Sequence, residues 1–487
     1  MRYCLRVIFL VCAGACASGA IALELGVLSP VLKNGRPLQK ADPQGQPALV
    51  VTQVRSGELH DQLQKEATEG FTSVVLALDV AAQRAAGATT PVPTWLYLST
   101  EEGGFARRGF WLNEGKKQRF LSDPFVDLVV DAGSVRDGSF EEIFAHEMGH
   151  VFLRRLLPTL PHGYSRTAHS SFSITDDPTA FDEGFAIHFQ GLARRLTRNS
   201  TLRDQDLGLE YKPLVSYWLS NLDRATRIEG MRRNWFVQAQ IALPGTGDAL
   251  ARRDQSTLFD TARLKNGNQM LASEGVIATL FYRWLVPGSG ERAAILERYS
   301  RLFAALSVVK GQHLGPDSPV FLDVLERYCQ LFPEEAVRVL ALVVDTTYGA
   351  TADASVIAPI EDLASRGRIG DMQGFVAELQ ASRASLVQLR GAVLQSPPKL
   401  RGALGPGIWL WSGNRSVNLN TAELEELLQL PGVARAVAER ALDSRRREGT
   451  FHDLADFGAR AGIGAEGVAH LTTMAEAMQR EGTYSRR

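Results

Sequence analysis

Residues 139 to 157, Ser-Phe-Glu-Glu-Ile-Phe-Ala-His-Glu-Met-Gly-His-Val-Phe-Leu-Arg-Arg-Leu-Leu, constrain this chain more than any other stretch. The pattern predicts a helix: Ser139 and Glu142 have capping-box spacing, Ile143, Phe144, Val151 and Leu157 supply apolar packing, and Pro158 stops the run. On such a helix His146 and His150 sit one turn apart on one face, so both imidazoles can reach a single metal ion. Glu147 is offset toward the solvent position beside that ion. The competing explanation is a buried helix carrying two histidines by chance. The helix-start pattern and a suitable acidic residue downstream weigh against it.

A zinc ion held for catalysis needs a third protein ligand and a fourth position left to water. The extended metzincin motif would place glycine and histidine at 153 and 156, where this chain has Leu153 and Leu156. His162 and His169 lie in a loop-like stretch, with nothing in their spacing to recommend them. Glu274, in Glu-Gly before Val-Ile-Ala-Thr-Leu-Phe-Tyr, is a rival ligand, a group behind the ligands, or a helix N-terminus. The best candidate is Glu183 in Phe-Asp-Glu-Gly-Phe-Ala, residues 181 to 186.

His-Glu-x-x-His followed some tens of residues later by a helical Glu in this setting resembles the gluzincins, the thermolysin- and aminopeptidase-type zinc peptidases. The resemblance covers residues 139 to 190. It implies His146, His150 and Glu183 as Zn2+ ligands, Glu147 as general base, and a peptide or protein as substrate. Gly184 and Ala186 have little side chain and are expected to let the second helix close on the first. The bland alternative for Glu183 is a solvated carboxylate near a helix start.

The first 22 residues read as an export signal: Arg2 and Arg6, an apolar run from Val7 to Ala15, and Ala20-Ile21-Ala22 as a small-x-small cleavage site. A periplasmic or secreted location follows as an expectation, with an uncleaved anchor as the alternative. Cys16 follows a poor lipobox without the expected Leu, which argues against lipid anchoring there. Cys4, Cys12 and Cys16 fall within the signal, which leaves Cys329 alone, read as a buried apolar residue without a disulfide partner. No later stretch is apolar enough to cross a bilayer. The net charge of −1 implies no bulk attraction to nucleic acid or to anionic membrane.

Between signal and metal helix, residues 23 to 60 suggest an irregular arm leading into a strand at Leu49 to Val54. A helix is expected over 61 to 87 and strands over Thr94 to Thr100 and Phe125 to Val130, with a hairpin or surface loop over Phe105 to Phe120. Phe125 to Val130, or the segment just before it, is nominated as an edge strand that takes the substrate chain; its alternative is an interior strand. His188 reads as a packing residue, off the face of Glu183. From 205 to 395 the periodicity is helical: Leu214 to Leu222, Gly275 to Leu285, Arg292 to Leu306, Val320 to Phe332, Glu335 to Leu342 and Met372 to Leu394. Tyr211, Tyr217 and Tyr282 are candidates for a hydroxyl that stabilises an oxyanion, each with core packing as the simpler role.

After a Pro- and Gly-rich linker with a short Trp-containing strand at 396 to 415, the character changes. Val-Asn-Leu-Asn-Thr-Ala, Leu-Pro-Gly-Val-Ala, Gly-Thr-Phe and Gly-Ile-Gly, within 416 to 475, resemble the tandem helix-hairpin-helix modules of bacterial competence DNA receptors. The resemblance implies hairpin turns at Gly432, Gly462 and Gly464 that offer backbone N–H groups to a phosphate. In the first hairpin Ala434 stands where the second glycine would be. Six arginines against nine Asp and Glu in 416 to 475 give a net charge of −3, which opposes DNA binding, and Arg445-Arg446-Arg447 is the single basic focus. Weak nucleic-acid binding and protein docking are both left open for this module.

The expectation is therefore an α+β protein. A signal (1–22) precedes a zincin-like metallopeptidase domain (23–204) with a small mixed sheet and active-site helices. A mainly helical domain (205–395), the linker, a small all-α helix-hairpin-helix domain (416–475) and a tail (476–487) follow. The function expected is that of an exported zinc metallopeptidase. The alternative is a cell-envelope DNA-binding or scaffold protein whose zincin-like domain is inactive.

Overall fold

The computed structural model describes residues 24–100, 103–115, 117–160, 171, 174–204, 235–239, 259–309, 320–347, 350–351, 408–411 and 416–481. The export signal, His162, His169, Tyr211, Tyr217 and the stretches 214–222 and 372–394 lie outside them. The described part is α+β and mostly helical, and it ends in a helical C-terminal module.

Residues 25–28, 94–97 and 124–128 are buried without a break, which is the signature of strands packed on both faces. Strand β1 (Leu25–Pro30) is followed by the short hairpin β2 (Leu32–Lys33) and β3 (Arg36–Pro37), then by β4 (Gln39–Ala41) and β5 (Pro47–Gln53). Helices α1 (Glu58–Glu69) and α2 (Thr72–Ala85) lead to β6 (Thr94–Leu98), β7 (Phe105–Glu114) and β8 (Lys117–Leu128). The order β1-β6-β8-β7-β5 closes on itself through the antiparallel β1–β5 pairing, with β4 appended to β5. The result is a five-stranded barrel with mixed parallel and antiparallel ladders.

Its interior is filled by Leu28, Val51, Trp95, Tyr97, Phe110, Leu112 and Phe125, all buried. Edge-on ring pairs, Trp95 with Phe110 at 5.5 Å and Phe110 with Phe125 at 5.4 Å, hold this packing. A side chain at Gly26 would strike the Trp95 ring, so glycine there admits the indole. The alternate residues Leu25, Val27, Leu96, Val126 and Leu128 face the helices instead.

Closure corrects two expectations. The stretch read as an irregular arm contains β1, the strand that completes the ring. The nominated edge strand is interior: Phe125–Leu128 pairs with Trp95–Leu98 on one side and with β7 on the other, and Val129 and Val130 lie beyond its end. The expected hairpin over Phe105 to Phe120 is present as β7 and β8. The helix expected over 61 to 87 is two helices, broken at Gly70 and Phe71, where the Glu141 carboxylate accepts the Phe71 N–H at 2.6 Å.

Helix α3 (Ala132–Asp137) runs into α4 (Ser139–Leu156) through Gly138, in the left-handed region at φ 84°. The capping box belongs to α3, between Asp131 and Ser134; Ser139 makes none, and Ile143 is exposed rather than packed. Helix α5 (Asp177–Leu196), capped by the Asp176 side chain, and α6 (Ser200–Asp204) follow. Beyond a small ladder of β9 (Val237–Ala239) and β10 (Phe259–Leu264) come α7 (Gly267–Leu271), α8 (Glu274–Leu285), α9 (Arg292–Val309), α10 (Val320–Leu331) and α11 (Pro333–Thr346). One buried core runs from Leu25 to Val344, and α5 packs against α8, so the helices on either side of the expected break at 204 share it. Cys329 packs partly buried against that core. Among the described residues no helix is long and apolar enough to cross a membrane.

The C-terminal module has a separate core, from Leu410 to Leu471. A ladder of β11 (Trp409–Trp411) and β12 (Ser416–Asn418) precedes α12 (Leu424–Leu427), α13 (Arg435–Glu448), α14 (Leu454–Ala461) and α15 (Ala465–Glu481). Gln269 of α7 donates to the Thr421 carbonyl at 3.0 Å and so ties the module to the main body.

Candidate metal centre

Two buried ion pairs and two buried hydrogen bonds fix α4. Arg155 pairs with Asp79 of α2 at 3.1 Å, and Arg194 of α5 pairs with Glu142 at 2.5 Å. Glu141 accepts from the Phe71 N–H and from the Thr197 hydroxyl. The close approach of α5 depends on Gly149, where a Cβ would lie 2.8 Å from the Ala186 Cα. Ala186 thus does what its size implied. Gly184 does not: it faces α8, where a Cβ would lie 2.6 Å from Ile277.

That crossing brings His146, His150 and Glu183 together, with one donor atom from each within 4.8 Å of the others. Glu183 Oε2 lies 3.7 Å from His146 Nε2 and 3.5 Å from His150 Nε2. A tetrahedral ion with bonds of roughly 2.0–2.1 Å spans ligand edges of about 3.3–3.4 Å, and the two carboxylate–imidazole separations lie close to that edge. The donor chemistry, two imidazoles and a carboxylate, fits as well.

Asp182 was not singled out in the sequence. Its carboxylate sits 2.8 Å from His150 Nδ1, an arrangement that fixes the ring and leaves Nε2 aimed at Glu183. The signal was available, because consecutive helix residues point about 100° apart, so an Asp-Glu pair can serve the back of one ligand and the front of the site. Burial alone would lower the His150 pKa; the Asp182 and Glu183 carboxylates together push it well up. Burial raises Glu147 to about 7, with His150 opposing the rise and Glu183 adding to it.

The three donors and Glu147 open onto a cleft of about 1270 Å³ that runs beneath the barrel and is walled by Tyr97 and Phe105–Arg108. Along β7, β5 pairs only with Phe110–Leu112, so the cleft-side half of β7, not β8, presents the strand edge. Glu274 is the first residue of α8, buried and outside the donor cluster. His188 is a core residue: its Nε2 lies 2.7 Å from the Tyr299 hydroxyl, its Nδ1 meets the Phe185 carbonyl, and burial lowers its pKa to about 3.

In the C-terminal module the glycines stand at the hairpin turns. Gly432 (φ 79°) lies two residues before the N-cap of α13, and Gly462 (φ 69°) and Gly464 lie just before α15. Three of its arginines bond inward, while Arg435, Arg446 and Arg447 stay exposed. Arg445 donates to the Leu419 and Ala422 carbonyls at 2.8 Å each, and Arg460 to those of Ser444 and Gly449. Arg440 donates to the Ala461 carbonyl at 3.0 Å, beside the Gly462 turn.

Residues 412–473 match the helix-hairpin-helix motif family, so the C-terminal segment carries such a module. No curated protein and no solved structure matches the chain.

Proposed function

We propose that this protein is an exported zinc metallopeptidase of gluzincin type that carries a C-terminal helix-hairpin-helix module. The observation that carries the reading is the convergence of His146 Nε2, His150 Nε2 and Glu183 Oε2 at the floor of a long cleft, with Asp182 behind His150. These three residues would hold Zn2+, which when bound polarises a scissile carbonyl and makes water a nucleophile near neutral pH. Glu147 would accept a proton from the attacking water and return it to the leaving amine. Its raised pKa suits both halves of that exchange. The strand edge at Phe105–Arg108 would align an extended peptide by main-chain hydrogen bonds.

The test pairs two variants of the mature chain. Glu147→Gln is expected to keep the fold and one zinc per chain while cleavage of unfolded protein falls by about 10²–10⁴-fold. Glu183→Ala is expected to lose the zinc itself, measured by elemental analysis after dialysis. Unchanged cleavage by Glu147→Gln would remove that base, and full zinc retention by Glu183→Ala would remove the ligand set.

The match at 412–473 favours a second reading, a cell-envelope DNA-binding or scaffold protein. The net charge of −3 and the inward bonds of Arg445 and Arg460 weigh against the nucleic-acid half of it. Duplex DNA affinity that falls steeply with salt would restore it.

A further inference from the structure

The cleft is not uniform along its length. On α4, His146, His150 and Arg154 follow one another on the cleft side at intervals of four residues. Arg154 therefore stands one turn past His150, about 6 Å further along the axis. Across the cleft β7 runs alongside, from the exposed Phe105 ring to Arg108. Past Arg154 the cleft opens into a side pocket of about 200 Å³, whose walls include Leu153, Leu157 and Pro158.

The polar lining of that pocket is the guanidiniums of Arg107, Arg108 and Arg154 and the carboxylate of Asp182, which faces His150. Arg107 pairs with Asp127 at 2.6 Å, a contact that anchors the guanidinium at the pocket rim. Arg108 is held by a bond from its Nε to the Ser122 carbonyl at 3.0 Å. Guanidinium groups fixed in this way recognise carboxylates through paired, planar hydrogen bonds.

We propose that the end of the cleft beyond His150 is a subsite for a carboxylate of the bound peptide, received by Arg154 and Arg108 against the apolar wall of Leu157 and Pro158. The inference rests on the peptidase reading and deepens it, because it makes the substrate a peptide that is acidic on one side of the reacting bond. The carboxylate can belong to an Asp or Glu side chain or to the peptide's own C-terminus. Both satisfy the same two guanidiniums.

Binding distinguishes these cases without relying on turnover. Labelled peptides, identical except for Glu, Gln or Lys at one position and blocked at both ends, are titrated by fluorescence anisotropy into the full chain carrying Glu147→Gln. A further Gln peptide carries a free C-terminus. The Glu peptide or the free-carboxyl peptide is expected to bind about tenfold tighter than the Lys peptide, with the preference shrinking in high salt. Adding Arg154→Gln, or separately Arg108→Gln on its exposed strand, is expected to erase most of that preference while Gln-peptide binding changes little. Equal binding of Glu, Lys and free-carboxyl peptides, or a preference that survives both substitutions, overturns the subsite. Cleavage of the same peptides by the zinc-loaded unsubstituted chain is scored in parallel. Selective binding without cleavage keeps the subsite and sinks the peptidase reading, and cleavage without selectivity does the reverse.

Discussion

The α4–α5 pair and the C-terminal module are both tightly packed helical units rich in charged side chains, and they turn those charges in opposite directions. In the pair, buried ion pairs such as Arg194 with Glu142 lie behind the site, and His146, His150 and Glu183 are left aimed at a common point in a cleft. In the module, Arg440, Arg445 and Arg460 close backbone carbonyls, and the basic cluster at 445–447 loses its first member to the interior. A motif therefore becomes a site only where other groups already satisfy the backbone around it. In the module the cations themselves do that work.

The comparison breaks most readily at Asp182. If it positions His150 for a metal, Asp182→Asn should weaken zinc binding by about 10–100-fold in competition with a chromophoric chelator, with the fold unchanged by circular dichroism. An unchanged zinc affinity would reduce Asp182 to a packing partner. Next comes Arg445→Met, which leaves two buried carbonyls unmet. It should cost the module roughly 1–3 kcal/mol in urea unfolding followed at Trp409 and Trp411, and should leave zinc content untouched. A neutral outcome would return Arg445 to the pool of surface cations available to a phosphate.

The smallest effect concerns the base of α4. Burial raises half-buried Glu66 to about 7, and a hydrogen bond that its protonated form donates to the neighbouring Glu141 carboxylate adds to the rise. The folded protein then binds this proton more tightly than the unfolded chain, whose carboxyl titrates near 4.5. The stabilisation is present below that pH and is lost as pH rises through 7. Glu66→Gln should flatten the decline in melting temperature between pH 4.5 and 7, and an unaltered slope would refute the shared proton.

The parts of the molecule that were legible in the sequence are those set by local spacing. Two histidines four apart on a helix must share a face, whereas the start of the Glu183 helix, capped by Asp176, went unread in a loop-like stretch. The barrel was not legible, because closure depends on β1 pairing with both β5 and β6, and residues 25 to 30 carry no pattern that specifies two partners. The capping box was misplaced for a related reason: Gly138 allows α3 to abut α4, so the cap formed one helix earlier. Gly149 went unnoticed because a glycine within a helix gains meaning only from what crosses it, here Ala186.

The ring of strands has a mechanical consequence for the cleft beneath it. A closed ring has no terminal member, so a disturbance at any strand is passed around to β7, whose cleft-side half faces His146 and Glu147. Substitutions at Gly26 or Trp95, far from the histidines in the sequence, should for that reason shift the cleft wall at Phe105–Arg108 that faces them.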